Sequence, residues 1–130
     1  MPHPCSDIPA NVINNTTILS HNGIGVVISK RAKIGRNVFI GQHVTIGNDV
    51  IDNKPVAPVI EDNVVIYPHS HIFGNITIGH DSVVGAGSLV TKSVPSCSLV
   101  IGRDEVFAGK YKDKPYVFLN KTWNKNKVKV

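Results

Sequence analysis

Read in sixes from residue 28, the chain repeats itself. The blocks are ISKRAK, IGRNVF, IGQHVT and IGNDVI, then, after an insertion, IEDNVV, IYPHSH, IFGNIT, IGHDSV, VGAGSL and VTKSVP. Every block opens with Ile or Val, at 28, 34, 40, 46, 60, 66, 72, 78, 84 and 90. The fifth residue is Ala, Val, Ile or Ser, at 32, 38, 44, 50, 64, 70, 76, 82, 88 and 94. A period of six excludes a helix. At about 3.6 residues per turn the apolar positions would spiral around the axis instead of forming a stripe. Short extended segments joined by turns fit, with Gly, Asn and Asp supplying the turn conformations. Position one is large and points inward. Position five points inward too but is small, because flat faces meet there at a tight corner. Three blocks make one triangular coil, and coils stack at a strand-like spacing of about 4.8 Å. The expectation is an all-β solenoid, a parallel β-helix of a little over three coils, in which each coil contacts mainly its neighbours.

Between Gly47 and Ile60 the period is interrupted by eight residues within a stretch that contains two prolines. A solenoid tolerates an insertion at a corner, so residues 48–59 are expected to leave the body as a loop, a frequent place for function. The repeat lies within one expected domain, residues 1–102. Residues 103–130 read as a separate, short, irregular tail. The net charge of +5 lies entirely in that tail, which carries eight Lys/Arg against three acids and five of the eight aromatics, Phe107, Tyr111, Tyr116, Phe118 and Trp123. Basic residues interleaved with aromatics are one signature of nucleic-acid binding. The tail's aromatics are expected to pack on the body while its lysines stay solvated. No apolar run approaches the length of a membrane span. "MPHPCSDIPA" lacks the basic and apolar regions of a secretory signal, and Cys5 and Cys97 have no metal-type spacing. A cytoplasmic protein with reduced thiols is expected.

These hexads resemble those of the hexapeptide-repeat acyltransferases, whose fold is a single-stranded left-handed parallel β-helix. Within that family "SHNGIGVVI" (20–28) is similar to the serine acetyltransferase-like branch, which includes sugar and capsule O-acetyltransferases. The resemblance implies that His21 is the general base of an acetyl transfer from acetyl-CoA. "DIPANVINNTTILSH" is similar to that branch's Asp-Ile-x-Pro-Ala stretch with one residue missing after Ile8, which makes Asp7 the carboxylate that orients His21. The chemistry is coherent. A neutral imidazole takes the proton of an attacking hydroxyl near pH 7. A carboxylate on its other nitrogen fixes the tautomer. Asn22 and the backbone at Gly23 are candidate donors to the oxyanion. The same resemblance places Ala86, Thr91 and Lys92 of "VGAGSLVTKSVP" along coenzyme A, with Gly47 and Pro68 further along the groove. A lysine there suits the phosphates. Pro68 replaces the usual small residue and lacks an N–H, and Arg103, Asp104 and Glu105 replace the family's proline-containing ending.

Serine acetyltransferases carry an aspartate before the histidine and an Arg-His pair in the loop. Here those positions read Ser20 and Val56–Ala57. A sugar or polysaccharide-precursor hydroxyl is therefore the expected acceptor. A homotrimer is expected as well, because one flat face must bury its outer apolar residues. Two other readings remain. His43 and His69 share position four of their blocks and would stack about 5 Å apart, which raises a zinc enzyme like the γ-class carbonic anhydrases. Neither they nor His71 completes a three-histidine set, and no metal is expected. The other reading is a non-enzymatic scaffold.

Overall fold

Strands of two or three residues stack into three flat faces. The structure, a computed structural model, describes residues 2–112. Tyr116, Phe118, Trp123 and most of the basic tail lie outside the described residues. The first face stacks Ile18–Leu19, Phe39–Ile40, Val65–Ile66, Val83–Val84 and Leu99–Ile101. The second stacks Val27–Ile28, Thr45–Gly47, His71–Phe73 and Leu89–Val90, and the third Lys33–Ile34, Val59–Ile60 and Thr77–Ile78. Pairing between these strands is parallel throughout. A regular turn of the coil takes three hexads, which sets Val27 beside Thr45, Val59 beside Thr77, Val65 beside Val83 and His71 beside Leu89.

The insertion lengthens one turn, in which Lys33 pairs with Val59, Phe39 with Val65 and Thr45 with His71. The extra residues leave the corner between the second and third faces as an antiparallel hairpin of Asp49–Ile51 with Lys54–Val56. Its turn residues Asp52 and Asn53 have φ of 50° and 61°, the left-handed pair that tight hairpins favour. This corrects one position of the hexad pattern. Val50 is not an inward fifth residue but is 61% exposed on the hairpin. Pro58, at the hairpin's far end, is buried in its stead.

Position one fills the prism. Ile40, Ile46, Ile66, Ile72 and Ile78 are fully buried, whereas Ile34 is only partly so. At position five, Ser70, Ser82 and Ser88 are buried without penalty, because each hydroxyl donates to a backbone carbonyl: Tyr67 and Gly85, Pro95, and Gly85 respectively. The winding is longer than the hexads indicate. On the second face Asp7, Val27, Thr45, His71, Leu89 and Arg103 succeed one another, which makes five full turns rather than a little over three. The outer turns escape the pattern because neither spans three hexads: the turn from Asp7 to Val27 is longer and the turn from Leu89 to Arg103 shorter.

Past residue 102 the chain stays on the body. Glu105–Phe107 pairs antiparallel with Leu99–Ile101 and covers that strand's free edge. Tyr111 then donates its N–H to the Cys97 carbonyl. With Tyr67 it packs on the outward side chains Phe39, Val65 and Val83 of the first face. Burial raises the Tyr111 pKa, and the neighbouring Tyr67 phenol raises it further. The outer apolar row of the first face thus finds cover from its own chain, and the need to bury it does not by itself call for a second subunit. Among the described residues no helix is long and apolar enough to cross a membrane.

Candidate functional site

The corner between the first and second faces carries most of the chemistry-bearing side chains. In the regular coils it reads Gly41-Gln42-His43, Tyr67-Pro68-His69 and Gly85-Ala86-Gly87. The fourth-position residues His43, His69 and Gly87 turn it with φ of 57°, 63° and 69°. In the coil below, the corner is three residues longer: Leu19 lies across from Ile40 and Val27 from Thr45. The excess forms a bulge in which His21, Asn22 and Gly23 have φ of 53°, 58° and 76°. Two consecutive non-glycine residues in the left-handed region cost about 1–2 kcal/mol each, and such strain persists only where the surroundings over-determine it.

The surroundings do so here. The Asn22 carbonyl accepts the His3 N–H at 2.6 Å, the Gly23 carbonyl the Val26 N–H at 3.0 Å, and the Cys5 carbonyl the Gly25 N–H at 2.9 Å. Gly23 is buried, and a Cβ on it would come 3.2 Å from Ile8 Cδ1 and 3.3 Å from Leu19 Cδ1. At Gly25 a Cβ would fall 2.0 Å from His43 Nδ1, so the ring from the next coil occupies the space this glycine leaves. The two glycines that follow His21 therefore shape the bulge and seat His43. The His21 ring is exposed and has no hydrogen-bond partner among the described residues.

The other candidates divide between two places. Pro68 and Ala86 lie above His21 on the same corner. The Ala86 N–H has no partner among the described residues, and neither has that of Gln42 in the same column below. Asp7 sits on the second face, bridged to Val27 and exposed. No hydrogen bond joins it to His21. It lines a cleft of about 510 Å³ together with Pro9, Lys30, Gly47 and Pro55. Gly47 is glycine because Phe73 covers it: a Cβ would stand 2.7 Å from the ring.

Thr91 and Lys92 lie at the next corner, where Asp104 engages them. One carboxylate oxygen of Asp104 accepts the Thr91 N–H at 2.7 Å and the Lys92 N–H at 3.2 Å, and the other accepts the Thr91 hydroxyl at 2.5 Å. Both donors of Thr91 are thus engaged within the chain. Burial pushes the Asp104 pKa up, but the Thr91 and Lys92 hydrogen bonds and the Lys92 charge outweigh it, and the net shift is downward. A lowered folded-state value means that Asp104 stabilises the fold above the ordinary carboxylate range and ceases to as pH falls through the lowered value. Asp104→Ala is therefore expected to cost about 1 kcal/mol at neutral pH and to speed hydrogen exchange at the Thr91 and Lys92 amides. The stability gap should close in acid, as chemical denaturation followed against pH would show.

Sequence reasoning did not assign Gln42 or Asp104 a part. Gln42 repeats the register of Pro68 and Ala86, a usable signal. Asp104 gave none, because its partners Thr91 and Lys92 lie across a coil from it. His43 and His69 do stack, with ring centroids 4.9 Å apart and planes 17° from parallel. Among the described residues no group of three or more His, Cys, Asp or Glu side chains is placed to hold a metal ion.

Residues 57–92 match the family described as bacterial transferase hexapeptide (six repeats). The serine acetyltransferase of Bacillus licheniformis is 38% identical over 94 residues, which are 72% of this chain and 43% of that protein. That of Staphylococcus xylosus is 42% identical over 94 residues, again 72% and 43%. The chain thus spans less than half the length of these curated relatives. Among solved structures, Neisseria gonorrhoeae serine acetyltransferase in complex with serine superposes with a TM-score of 0.63 at 33% identity, over 77% of this chain and 38% of that one. Serine acetyltransferase from Brucella abortus in complex with coenzyme A superposes with a TM-score of 0.62 at 32% identity, over 77% and 38%.

Proposed function

We propose that the chain is a hexapeptide-repeat transferase of left-handed β-helix fold, supported by the match of residues 57–92 and by the superposed serine acetyltransferases, and that it is an O-acetyltransferase that moves the acetyl group of acetyl-CoA to a hydroxyl. The observation that carries this is the strained His21 bulge at the foot of a corner whose Gln42 and Ala86 N–H groups have no partner among the described residues. His21 Nε2 or Nδ1 takes the proton of the acceptor hydroxyl as its oxygen attacks the thioester carbonyl. The tetrahedral oxyanion is stabilised by donors such as the Asn22 amide and the backbone at Gly23. Collapse expels the coenzyme A thiolate, and the imidazolium returns the proton to it. Coenzyme A supplies the activated acetyl group. Ala86 offers an amide N–H to its pantetheine arm and Lys92 a charge to its phosphates. Thr91 acts only through Asp104, and Gly47 and Pro68 shape the path. Asp7, exposed on the second face and not hydrogen-bonded to His21, serves as the carboxylate that orients the imidazole only if it reaches the ring in the substrate-bound state.

Two acceptors compete, and a specific observation supports each. The named relatives point to serine. Ser20 and Val56–Ala57, which lack the charges expected to grip an amino acid, point to an uncharged hydroxyl compound such as a sugar. Thiol release from acetyl-CoA should be followed with L-serine, simple sugars and nucleotide sugars. Release that depends on one of these hydroxyls is the expected result. Hydrolysis alone, or no acetyl-CoA binding, would remove the proposal and favour a scaffold role.

The prism interior is filled, so long ligands need a groove between prisms. We propose a homotrimer with three shared sites, each in the groove between two prisms. Sedimentation at micromolar concentration should show three chains, and a stable monomer would contradict it. Mixed trimers of His21→Ala with Lys92→Ala subunits should regain activity beyond the sum of the parents.

A further inference from the structure

We propose that the stacked rings of His43 and His69 form an unfinished ladder whose next rung is the base of a bound purine nucleotide. The two imidazoles occupy one column of the first corner in successive coils, 4.9 Å apart and nearly parallel. The column begins at Gly25, whose missing side chain makes room for the His43 ring. It continues above His69 at Gly87, which has a left-handed φ of 69° like the histidines below it but no side chain to extend the stack. A Cβ built on Gly87 would meet nothing within 4 Å. The coil beyond opens the notch further. Val100 pairs with Val84 and Arg103 bridges to Leu89, so three steps replace five and the corner is cut short by two residues. Gly102 in that shortened corner is likewise clear of neighbours.

A flat heteroaromatic ring placed one coil spacing above His69, about 4.8 Å, continues the stack. Both His43 and His69 are solvent-exposed, and π-faces of this kind hold bases without regard to their edges. Arg103, at the notch's far edge on the second face, is exposed and has no hydrogen-bond or ion-pair partner for its side chain among the described residues. It supplies the cation for a phosphate on the same ligand. The base comes either from the adenine of coenzyme A or from a separate nucleotide. In the first case the site rests on the acetyl-transfer reading and extends it; in the second it does not depend on it.

The test titrates AMP and adenosine into the full chain while the histidine ring protons are followed by NMR. AMP should move the His69 resonances upfield by ring current, and those of His43, one rung further from the base, by much less. His69→Ala should weaken AMP by about five- to a hundredfold, the usual weight of one stacked base. His69→Phe, which keeps a ring, should restore it. Arg103→Gln should weaken AMP while leaving adenosine unchanged. Prior saturation with coenzyme A separates the sources: loss of AMP binding identifies the donor's own adenine, and retention identifies a second nucleotide. If coenzyme A does not bind but AMP does, the acetyl-transfer reading falls and the ladder stands. Unmoved histidine resonances at millimolar AMP, or equal AMP affinity in His69→Ala, would overturn it.

Discussion

His21→Ala is expected to lower hydroxyl-dependent thiol release by at least about a hundredfold, the lower end of what a positioned general base contributes. Acetyl-CoA binding should change little, because the candidate donor contacts lie higher on the corner and at Lys92. The bulge adds a second readout. His21 has a φ of 53°, where a side chain is strained and glycine is not. His21→Gly should therefore lose activity as fully as His21→Ala yet unfold at a higher denaturant concentration, by about 1 kcal/mol. Loss of turnover with a gain in stability is what a strained functional residue produces. Turnover within tenfold of the parent in both variants, with the true acceptor, would show that another group takes the proton.

The largest stability effect is expected from Ile66→Ala, at about 4 kcal/mol. Ile66 is fully buried, and its strand is stacked between those of Ile40 and Val84. The coils above and below are backbone-paired to it and cannot collapse into the cavity. Native domains are stable by only about 5–15 kcal/mol, so the variant should sit close to its unfolding midpoint under ordinary conditions. Val50→Ala removes the same kind of side chain from a position that the hexad count treats as equivalent to core. It should shift the midpoint by less than about 0.5 kcal/mol, because Val50 stands on the exposed hairpin. Thermal or denaturant melts of the two variants side by side would check both. Similar losses would mean that the hairpin is packed on the body in solution.

Most of the prism was legible because a period of six leaves one solution for Ile40, Ile46, Ile60, Ile66, Ile72 and Ile78: they must point inward at every third of a coil. The site was legible in part. His21 stood out through the glycines around it, and the structure gives those glycines specific tasks. Gly23 fits under Ile8 and Leu19, and Gly25 yields its space to His43. Asp104 could not have been read, because a hydrogen bond from one coil to the next leaves no trace in neighbouring residues. The outer turns escaped notice for a related reason. A long first turn and a short last one still bring Asp7 to Val27 and Arg103 to Leu89, but they carry no repeating side chain.

By itself the sequence determined the strands of the regular coils, their inward residues apart from Val50, the corner at which the insertion leaves the body, and the stacking of His43 on His69. All of these depend on spacing along the chain, and a solenoid converts spacing directly into height and angle. Only the tertiary structure decided that Val50 leaves the core and Pro58 replaces it, that Tyr111 returns to cover the first face, that Asp104 takes both donors of Thr91, and that His21 stands in a strained left-handed conformation without a hydrogen bond to Asp7. Those outcomes depend on which side chains meet across coils of unequal length. That is settled by packing and hydrogen bonding between the coils, which no local period records.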